Sequence, residues 1–434
     1  MSQNERPNTT RRRFVQTSAL AGVAVAACHG ASASGQEDSA AESVTLAVMG
    51  VNGRGTSLAR GFASQSNCQV AYVCDVDERA VAKAAGALEG KQSLKVQGEA
   101  DFRTALDDDA VDGLVIAAPD HWHAPAGIMA CKAGKHVYVE KPCSHNAREG
   151  ELFVEAARKF KRTVTMGTQR RSWPGIIEGI EKVRGGDIGN VHYSRAWYNN
   201  RRGGIGKGKQ VAVPDWLDWD LWQGPAPRTD YRDNIVHYNW HWLWDWGTGE
   251  LGNNGVHALD LSRWGLGVDY PVRVASSGGR YRWDDDQQTP DTHVVSYDFP
   301  ENKTIVWEGL SWSPRGFEGE MFGASFHGDQ GTLVLLGTGY KQYDMQNKLV
   351  TEKSAAGGDA THQADFLACI KSGNAPHAEI ESGHKTTLLC HLGNIAQRTS
   401  TTLQCSPKDG RIENSAAAME LWGREYEKGW EPVV

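Results

Sequence analysis

Residues 44–55 constrain the fold more than any other stretch. An apolar run, Val44–Met49, leads into a glycine-rich turn at 50–55, and residues 57–62 then have the pattern of a helix. Strand, glycine turn and helix in this order are typical of a parallel α/β sheet. Such a turn lets the backbone approach a pyrophosphate, whose negative charge the helix N-terminus favours. The stretch therefore predicts a dinucleotide site; the alternative is a tight turn without a ligand.

An acidic residue follows at a suitable spacing. A second apolar run, 70–74, ends at Asp75, which lies 25 positions after Gly50. A carboxylate there accepts hydrogen bonds from ribose hydroxyls and repels a 2′-phosphate, so the sequence favours NAD over NADP. Asn52 replaces the second glycine of the usual G-x-G-x-x-G pattern, and its side chain affects how closely the phosphate approaches. The predicted cofactor-binding residues of this segment are Gly50, Asn52, Gly53, Arg54, Gly55 and Asp75.

Length, charge and composition indicate a globular protein of two domains. The chain has 434 residues, of which 40% are hydrophobic and 23% are charged. Its net charge of −7 and the lack of a basic run beyond the extreme N-terminus argue against nucleic acid as a partner. No apolar span of about 18 residues occurs, so we expect no transmembrane helix.

The N-terminus has the pattern of an export signal. Three arginines, 11–13, precede Phe14 and a short region of small apolar residues, which is the order of a twin-arginine (Tat) signal. Cys28 ends a segment like a bacterial lipobox, so it is either a lipid anchor or a chance cysteine in an alanine-rich leader. We assign residues 1–42 to this signal and a flexible tether. The expected location is the periplasm, and lipidation of Cys28 would anchor the protein to the membrane as a lipoprotein.

The other cysteines and the histidines show no metal-site pattern. Seven cysteines remain after Cys28, without CxxC pairs, and an odd number in unrelated elements argues against a disulfide framework. We expect them to be buried as small apolar side chains. We predict no metal site.

Two further predicted strands end in polar residues. The apolar run 111–118 leads to Asp120 and His123, and His136–Val139 leads to Glu140 and Lys141. Ligands of doubly wound sheets bind at the carboxyl ends of strands, so these four residues complete the predicted cofactor site. We assign 43–165 to a Rossmann NAD-binding domain and 166–434 to a substrate-binding α/β domain.

These motifs together resemble the Gfo/Idh/MocA oxidoreductases over roughly residues 44–400. The resemblance rests on the glycine turn, the Cys-Asp-Val-Asp at 74–77, the Pro-Asp-His-Trp-His at 119–123 and the Glu-Lys-Pro at 140–142. It implies that Lys141 touches both the nicotinamide ribose and the hydroxyl being oxidised. A partly desolvated lysine beside a cationic nicotinamide should have a lowered pKa and exchange a proton with an alcohol; the alternative is a solvated lysine at a strand end. Glu140 either orients Lys141 and the cofactor or is a plain ion-pair partner.

The sequence pattern of the second domain predicts an open, mostly antiparallel sheet. Alternating runs occur at 191–197, 273–282, 293–299, 304–310 and 332–336, with few helices between them. The family resemblance implies that this sheet often pairs with another subunit, so we expect a homo-oligomer. It also implies that a C-terminal helix within 383–398 returns to the dinucleotide domain.

An aromatic stretch in this domain predicts a carbohydrate pocket. Residues 238–246 include four tryptophans, and polar residues follow at 247–260. Aromatic rings stack on pyranoses while polar groups bond the hydroxyls; the alternative is an aromatic core plug or a subunit contact. The similar stretch 216–222 is expected to pack in the interior. The predicted substrate-binding residues are Gln169, Arg170, Tyr238, His241, Trp242, Asn253 and His257.

For three of these residues, the sequence allows a second interpretation or departs from the family pattern. Arg170, with Arg171, either holds sugar hydroxyls or a carboxylate or forms a structural ion-pair hub. His257 lies where the family places its acid/base histidine, and its alternative is a buried core histidine. Four residues earlier the family's dehydrogenases carry an aspartate. Here Asn253 can orient a group but cannot accept a proton.

The predicted catalytic residues are therefore Lys141 and His257. The first functional hypothesis is an NAD-dependent oxidoreductase that acts on a hydroxyl of a sugar, cyclitol or glycoside. The alternative is an NAD-dependent glycoside hydrolase that oxidises, eliminates and re-reduces with no net redox change. Because free NAD is scarce outside the cytoplasm, we expect a tightly held cofactor that is regenerated within each cycle.

Overall fold

The computed structural model describes residues 43–434. The predicted export signal, the tether and Cys28 lie outside the described residues. Between residues 43 and 434, no helix combines the length and the apolar character that a membrane span requires.

The first sheet is a six-stranded parallel sheet. Its central strands are almost entirely apolar and buried, as expected for a sheet covered on both faces. The strands are β1 (Val44–Met49), β2 (Cys68–Cys74), β3 (Gln97–Glu99), β4 (Gly113–Ile116), β5 (His136–Val139) and β6 (Val164–Met166). Their order is β3-β2-β1-β4-β5-β6, so the order reverses between β1 and β4. The connecting helices are α1 (Arg54–Ala63), α2 (Glu78–Leu88), α3 (Arg103–Leu106), α4 (Asp120–Lys132) and α5 (Ala147–Lys159).

The second sheet has nine strands and is antiparallel except for one pair. Its strands are β7 (Val191–Asn199), β8 (Arg273–Gly279), β9 (Thr292–Phe299), β10 (Lys303–Leu310), β11 (Phe322–Gly328), β12 (Gly331–Leu336), β13 (Gly339–Asp344), β14 (Leu349–Ser354) and β15 (Leu403–Gln404). The order is β14-β13-β12-β11-β7-β10-β9-β8-β15, and only β7 and β10 pair in parallel among these neighbours. Buried and half-buried residues alternate along β9, because helices cover one face. The predicted fold class is confirmed.

The remaining helices pack on this sheet or on the first domain. They are α6 (Pro174–Gly185), α7 (Trp219–Gln223), α8 (Val256–Leu266), α9 (Asp359–Ser372), α10 (Ile380–Thr399) and α11 (Ala416–Glu420). The rings of Phe366 in α9 and Phe62 in α1 meet edge to face at 6.2 Å. Helix α9 thus completes the core of the first domain, although it is distant from that domain in sequence.

Some boundaries differ from the sequence predictions. Helix α4 begins at Asp120, whereas Pro125 suggested a later start because proline favours the first helical turn. Asp120 and His123 therefore lie in the first turn of a helix rather than in a loop. Strands β3, β11, β13, β14 and β15 lie outside the predicted strands, and the exposed side chains of β14 explain its weak apolar alternation.

A buried ion pair joins three segments of the second domain. The guanidinium of Arg171 donates two hydrogen bonds of 2.8 Å to the carboxylate of Asp260 in α8. The same carboxylate accepts a 2.9 Å bond from the hydroxyl of Thr386 in α10. Arg171 is thus a structural residue, which was one of the two alternatives for it.

We predict that Asp260→Ala lowers the free energy of unfolding by about 3–5 kcal/mol, because it leaves the Arg171 guanidinium buried and unpaired. Asp187→Ala is the control, since it removes a carboxylate that pairs with Lys182 at the surface. That variant should cost less than about 1 kcal/mol. Urea unfolding followed by tryptophan fluorescence measures both, and equal costs would contradict the prediction.

Candidate active site

The turn after β1 leaves open space at Gly53 but has no room for side chains at Gly50 and Gly55. Gly50 has a φ of +80°, and an added Cβ would lie 2.5 Å from the Ala118 nitrogen. A Cβ on Gly55 would collide with the Gly50 carbonyl oxygen. A Cβ on Gly53, in contrast, would meet no heavy atom within 4 Å. Helix α1 begins at Arg54 without a side-chain cap, so its first N–H groups are free to bind an anion.

Asp75 stands at the end of β2 and is tied to the same turn. Its carboxylate accepts a 2.7 Å hydrogen bond from the backbone N–H of Val51 and a 3.1 Å bond from that of Asp77. Burial raises its pKa, while these two bonds act in the opposite direction. A carboxylate has about four acceptor positions, so two remain for ribose hydroxyls. The turn and Asp75 fit the dinucleotide that the sequence predicts.

A single cavity of about 600 Å³ runs along the carboxyl ends of the strands. It brings together most of the predicted site residues from both domains. Those that line it are Gly50, Asn52, Gly53, Arg54, Asp75, Asp120, His123, Glu140, Lys141, Gln169, Tyr238, His241, Asn253 and His257. Gly55, Arg170 and Trp242 are not part of its lining.

Trp242, which the sequence predicts as a substrate-binding residue, lies outside the lining of the cavity. Its side chain is buried, and the Arg202 guanidinium lies 4.9 Å from the centre of its ring. Its carbonyl accepts a 2.9 Å hydrogen bond from Gln288. The short 3-10 helix Asn239–Trp242 turns this ring into the interior.

Lys141 is held by a residue of the second domain. Its ammonium nitrogen donates to the backbone oxygen of Asn253 at 2.7 Å and to the side-chain oxygen of Asn253 at 2.9 Å. Asn253 lies in a π-helical turn, Leu251–Gly255, a distortion that often occurs at functional sites. Burial lowers the pKa of Lys141, although Glu140, Asp120 and Glu250 oppose this effect.

Glu140 is the centre of an ion-pair network beneath the turn. Its carboxylate accepts from the Arg54 Nε at 2.7 Å and from the Lys141 backbone N–H at 3.3 Å. The other two Arg54 nitrogens donate to Asp359 at 2.5 and 2.9 Å. Burial lowers the pKa of Arg54, but these carboxylates outweigh it and raise the pKa overall. Arg54 thus joins the start of α1 to β5 and α9.

His257 faces the cavity from the first turn of α8. Within residues 43–434, its buried Nδ1 has no hydrogen-bond partner. Burial lowers the pKa of His257 well below its usual value, and the positive charges of Arg170 and Lys141 act in the same direction. The imidazole is therefore neutral at physiological pH.

Asp120 and His123 support the wall between the two domains. The Asp120 carboxylate accepts a 2.6 Å hydrogen bond from the Thr248 hydroxyl, and burial raises its pKa. The two ring nitrogens of His123 lie 2.6 and 2.7 Å from the carbonyl oxygens of Pro142 and Ala118. His123 thus positions the backbone after β4 and after β5.

The aromatic stretch 238–246 contributes residues both to the cavity and to a buried aromatic cluster, so both interpretations of it apply. Tyr238, Trp240 and His241 line the cavity, and the rings of Trp240 and His241 stack with centres 3.6 Å apart. Burial lowers the pKa of His241 to about 3. Trp246 is buried in a cluster with Trp219, Trp222 and Trp240, which agrees with the packing role expected for 216–222.

Sequence reasoning missed a polar group beside the aromatic wall. Glu250 is buried and pairs with the Nε of Arg202 at 2.7 Å, and Arg202 also donates to the Tyr238 hydroxyl at 2.7 Å. Asn254 donates to the same carboxylate of Glu250. Glu250 is flanked by glycines, and Arg202 lies in an irregular loop. Neither residue therefore belongs to a motif with a recognisable spacing. No group of three or more His, Cys, Asp or Glu residues within 43–434 is arranged to hold a metal ion.

The fold and the cavity define an oxidoreductase with a Rossmann domain. A family model described as an NAD-binding Rossmann fold of an oxidoreductase family matches residues 44–168. A second model, the C-terminal alpha/beta domain of the same family, matches residues 190–431. The chain belongs to the Gfo/Idh/MocA oxidoreductase family. The predicted family and the predicted cofactor, NAD, are confirmed.

Curated relatives match only part of the chain. A glycosyl hydrolase family 109 protein of Saccharopolyspora erythraea is 31% identical over 172 residues, which cover 35% of this chain and 38% of the relative. A levoglucosan dehydrogenase of Pseudarthrobacter phenanthrenivorans is 23% identical over 177 residues, which cover 41% and 38%. The matches thus span less than half of these relatives.

Solved structures show the same fold over most of the chain. The WlbA dehydrogenase from Bordetella pertussis, in complex with NADH and UDP-GlcNAcA, has a TM-score of 0.64 at 16% identity and covers 84% of this chain and 99% of its own. The aldose-aldose oxidoreductase from Caulobacter crescentus, complexed with glycerol, has a TM-score of 0.66 at 18% identity and covers 83% and 99%.

We predict that Asp75→Asn weakens NAD binding roughly ten- to hundredfold, because an amide replaces a charged acceptor. The ratio of the NAD affinity to the NADP affinity should also fall. Calorimetric titration of the cofactor-free protein with both nucleotides measures this. Asp284→Asn removes a carboxylate whose side chain is 93% exposed and is the control. An unchanged NAD affinity for Asp75→Asn would contradict this assignment.

Proposed function

We propose that the protein oxidises a hydroxyl group of a carbohydrate or cyclitol with a tightly held NAD, and that Lys141 takes the hydroxyl proton. The observation that carries this proposal is the Lys141 amine, fixed by Asn253 in the same cavity as the glycine turn and Asp75. Bound NAD supplies the hydride acceptor. The turn around Gly53 would hold its pyrophosphate, and Asp75 the ribose of its adenosine half.

Lys141 is suited to proton transfer by its surroundings. Since burial lowers the lysine pKa, the neutral amine is available at lower pH than for a lysine in water. The two oxygens of Asn253 fix its direction and carry no charge. His257, whose pKa burial also lowers, is the second group that can accept a proton or orient the hydroxyl.

The aromatic wall supports a carbohydrate as substrate. Tyr238 and Trp240 offer ring surfaces, and the polar group of Arg202 and Glu250 lies beside them. Apolar ring faces with polar groups at their edge suit a pyranose. Relatives with sugar-related names, a levoglucosan dehydrogenase and glycosyl hydrolase family 109 proteins, agree with this substrate class.

Asn253 favours a second candidate function, glycoside hydrolysis without net redox change. Oxidation of a ring hydroxyl to a ketone acidifies the neighbouring C–H, so a base can remove that proton while the aglycone leaves. Water then adds to the double bond, and the ketone is reduced again, so the overall reaction consumes only water. An amide in place of a carboxylate leaves one proton acceptor fewer at the site for simple oxidation.

We also propose that the protein folds and binds NAD in the cytoplasm before Tat export to the periplasm. In support, all seven cysteines of residues 43–434 are buried and unpaired, as is usual for chains that fold in a reducing compartment. The proposed lipid anchor at Cys28 and a homo-oligomer formed through the second sheet belong to the same proposal.

The test uses purified protein. NAD should be released on denaturation, and a panel of sugars and nitrophenyl glycosides should yield either a ketone with NADH or free sugar with no net redox change. The first outcome supports oxidation and the second hydrolysis. A protein with no retained NAD, no uptake of NAD or NADH and no turnover would contradict both.

We predict that Lys141→Met retains NAD but lowers kcat about 10²- to 10⁴-fold, the usual contribution of a positioned acid or base. Lys159→Met, at an exposed position of α5, is the matched control and should keep the wild-type rate. Bound NAD is quantified by absorbance in the same samples. Wild-type turnover by Lys141→Met would exclude this lysine as the proton acceptor.

We predict that Asn253→Asp moves the rise of the pH–kcat/KM profile to higher pH. A carboxylate beside the Lys141 ammonium stabilises the charged form and raises the lysine pKa, so the reactive neutral amine appears only at higher pH. Asn253→Ala removes the same side-chain oxygen without adding charge, and its profile should not move upward. Coincident profiles for Asn253→Asp and wild type would contradict the role of Lys141.

A further inference from the structure

Both domains contribute walls to the end of the cavity near Asp75. The cavity is lined by Asp75 and Val76 of the first domain and by Trp222 and His237 of the second. His237 lies at the end near Asp75, because its Nε2 is 2.9 Å from a carboxylate oxygen of Asp77. Val76 packs against the aromatic cluster to which Trp222 belongs. Side chains of the second domain therefore enclose the place where Asp75 would hold the adenosine ribose.

Residues 216–246 of the second domain, which we call the clasp, are attached to the first domain beside Asp75. Asp77 and Leu217 form an antiparallel β-bridge, with backbone hydrogen bonds of 3.4 and 3.0 Å on either side of the pair. The Asp77 carboxylate also accepts the hydrogen bond from the His237 ring. One backbone contact and one side-chain contact thus hold the clasp two residues away from the predicted ribose acceptor.

The clasp is attached a second time at the start of α4. The Trp222 carbonyl oxygen accepts hydrogen bonds from the ring nitrogens of His121 at 2.9 Å and Trp122 at 3.0 Å. The backbone N–H of His121 donates to the Trp246 carbonyl oxygen at 3.2 Å. The clasp is therefore fixed to the first domain at two separate places.

Aromatic rings make the clasp a single packed unit. The rings of Trp219 and Trp222 stack with centres 4.8 Å apart. Tyr231 meets Trp219 edge to face at 5.2 Å, and Trp246 meets Trp222 edge to face at 5.3 Å. Such pairs add stability beyond the area that they bury. We therefore expect the clasp to move as one body, so that its opening must break an attachment to the first domain.

We propose that the clasp covers the adenosine half of bound NAD, and that NAD enters and leaves only after the clasp separates from Asp77. His237 is then a positioning residue that retains the cofactor through the clasp. This inference rests on the function proposed above, in which NAD is tightly held. A retained NADH must return its hydride to a carbonyl group in the same cavity, on the same sugar or on a second one.

The first test measures how fast isotopically labelled NAD replaces the NAD of the loaded protein. His237→Ala removes a hydrogen bond to a carboxylate, so exchange should become roughly ten- to hundredfold faster. His237→Gln keeps a side-chain donor and should exchange more slowly than His237→Ala. His192→Ala, at an exposed position of β7, is the matched control and should keep the wild-type rate. A purely structural role would lower the free energy of unfolding of the NAD-free protein without changing exchange in folded protein.

The second test locks the clasp with a disulfide. Asp77 and Leu217 form a pair without hydrogen bonds between them, whose Cα atoms are typically about 4.5 Å apart, a distance that a disulfide can span. The double variant Asp77→Cys, Leu217→Cys is loaded with NAD and then oxidised. The reduced form lacks the Asp77 carboxylate and should exchange NAD faster than wild type. Oxidation should slow its exchange at least about tenfold, and a reductant should reverse this.

Either of two results would overturn this inference. One is equal exchange by wild type and His237→Ala, and the other is equal exchange by the oxidised and reduced double variant. If wild type nevertheless retains NAD and converts sugars, the proposed function stands without the clasp. If wild type neither retains nor takes up NAD, both fall. Should the double variant not fold, the His237 variants still decide the outcome.

Discussion

The site depends on one contact between the two domains, the bonds from the Lys141 amine to Asn253. Lys141 follows a strand of the parallel sheet, whereas Asn253 belongs to the π-helical turn that leads into α8. Two neutral oxygens hold the amine without the stabilisation that a carboxylate would give its charged form. The contact therefore fixes the direction of the lysine, while burial lowers its pKa, and both favour removal of a proton from an alcohol.

The Glu140 carboxylate beside Lys141 forms its ion pair with Arg54, although the charges of Glu140, Asp120 and Glu250 still oppose the lowering of the Lys141 pKa. Glu140 touches the lysine only through its backbone N–H and gives its strongest bond to Arg54. Arg54 also binds Asp359 at the start of α9, so a helix that is distant in sequence stabilises the glycine turn. These ion pairs fix the backbone that carries Lys141, while burial lowers the pKa of its amine.

Much of the cofactor site can be predicted from the sequence because parallel strands end at one edge of a sheet. The strands that end at Asp75 and Glu140 appear in the sequence as apolar runs. The parallel topology places the carboxyl ends of these strands at the same edge of the sheet. Arg170 and Arg171 could not be told apart, because the partner that decides between them, Asp260, lies 89 residues after Arg171. Trp240 and Trp242 face different surroundings because both lie in one 3-10 helix, Asn239–Trp242, in which residues two positions apart point in different directions. Alternation of residue types does not reveal this.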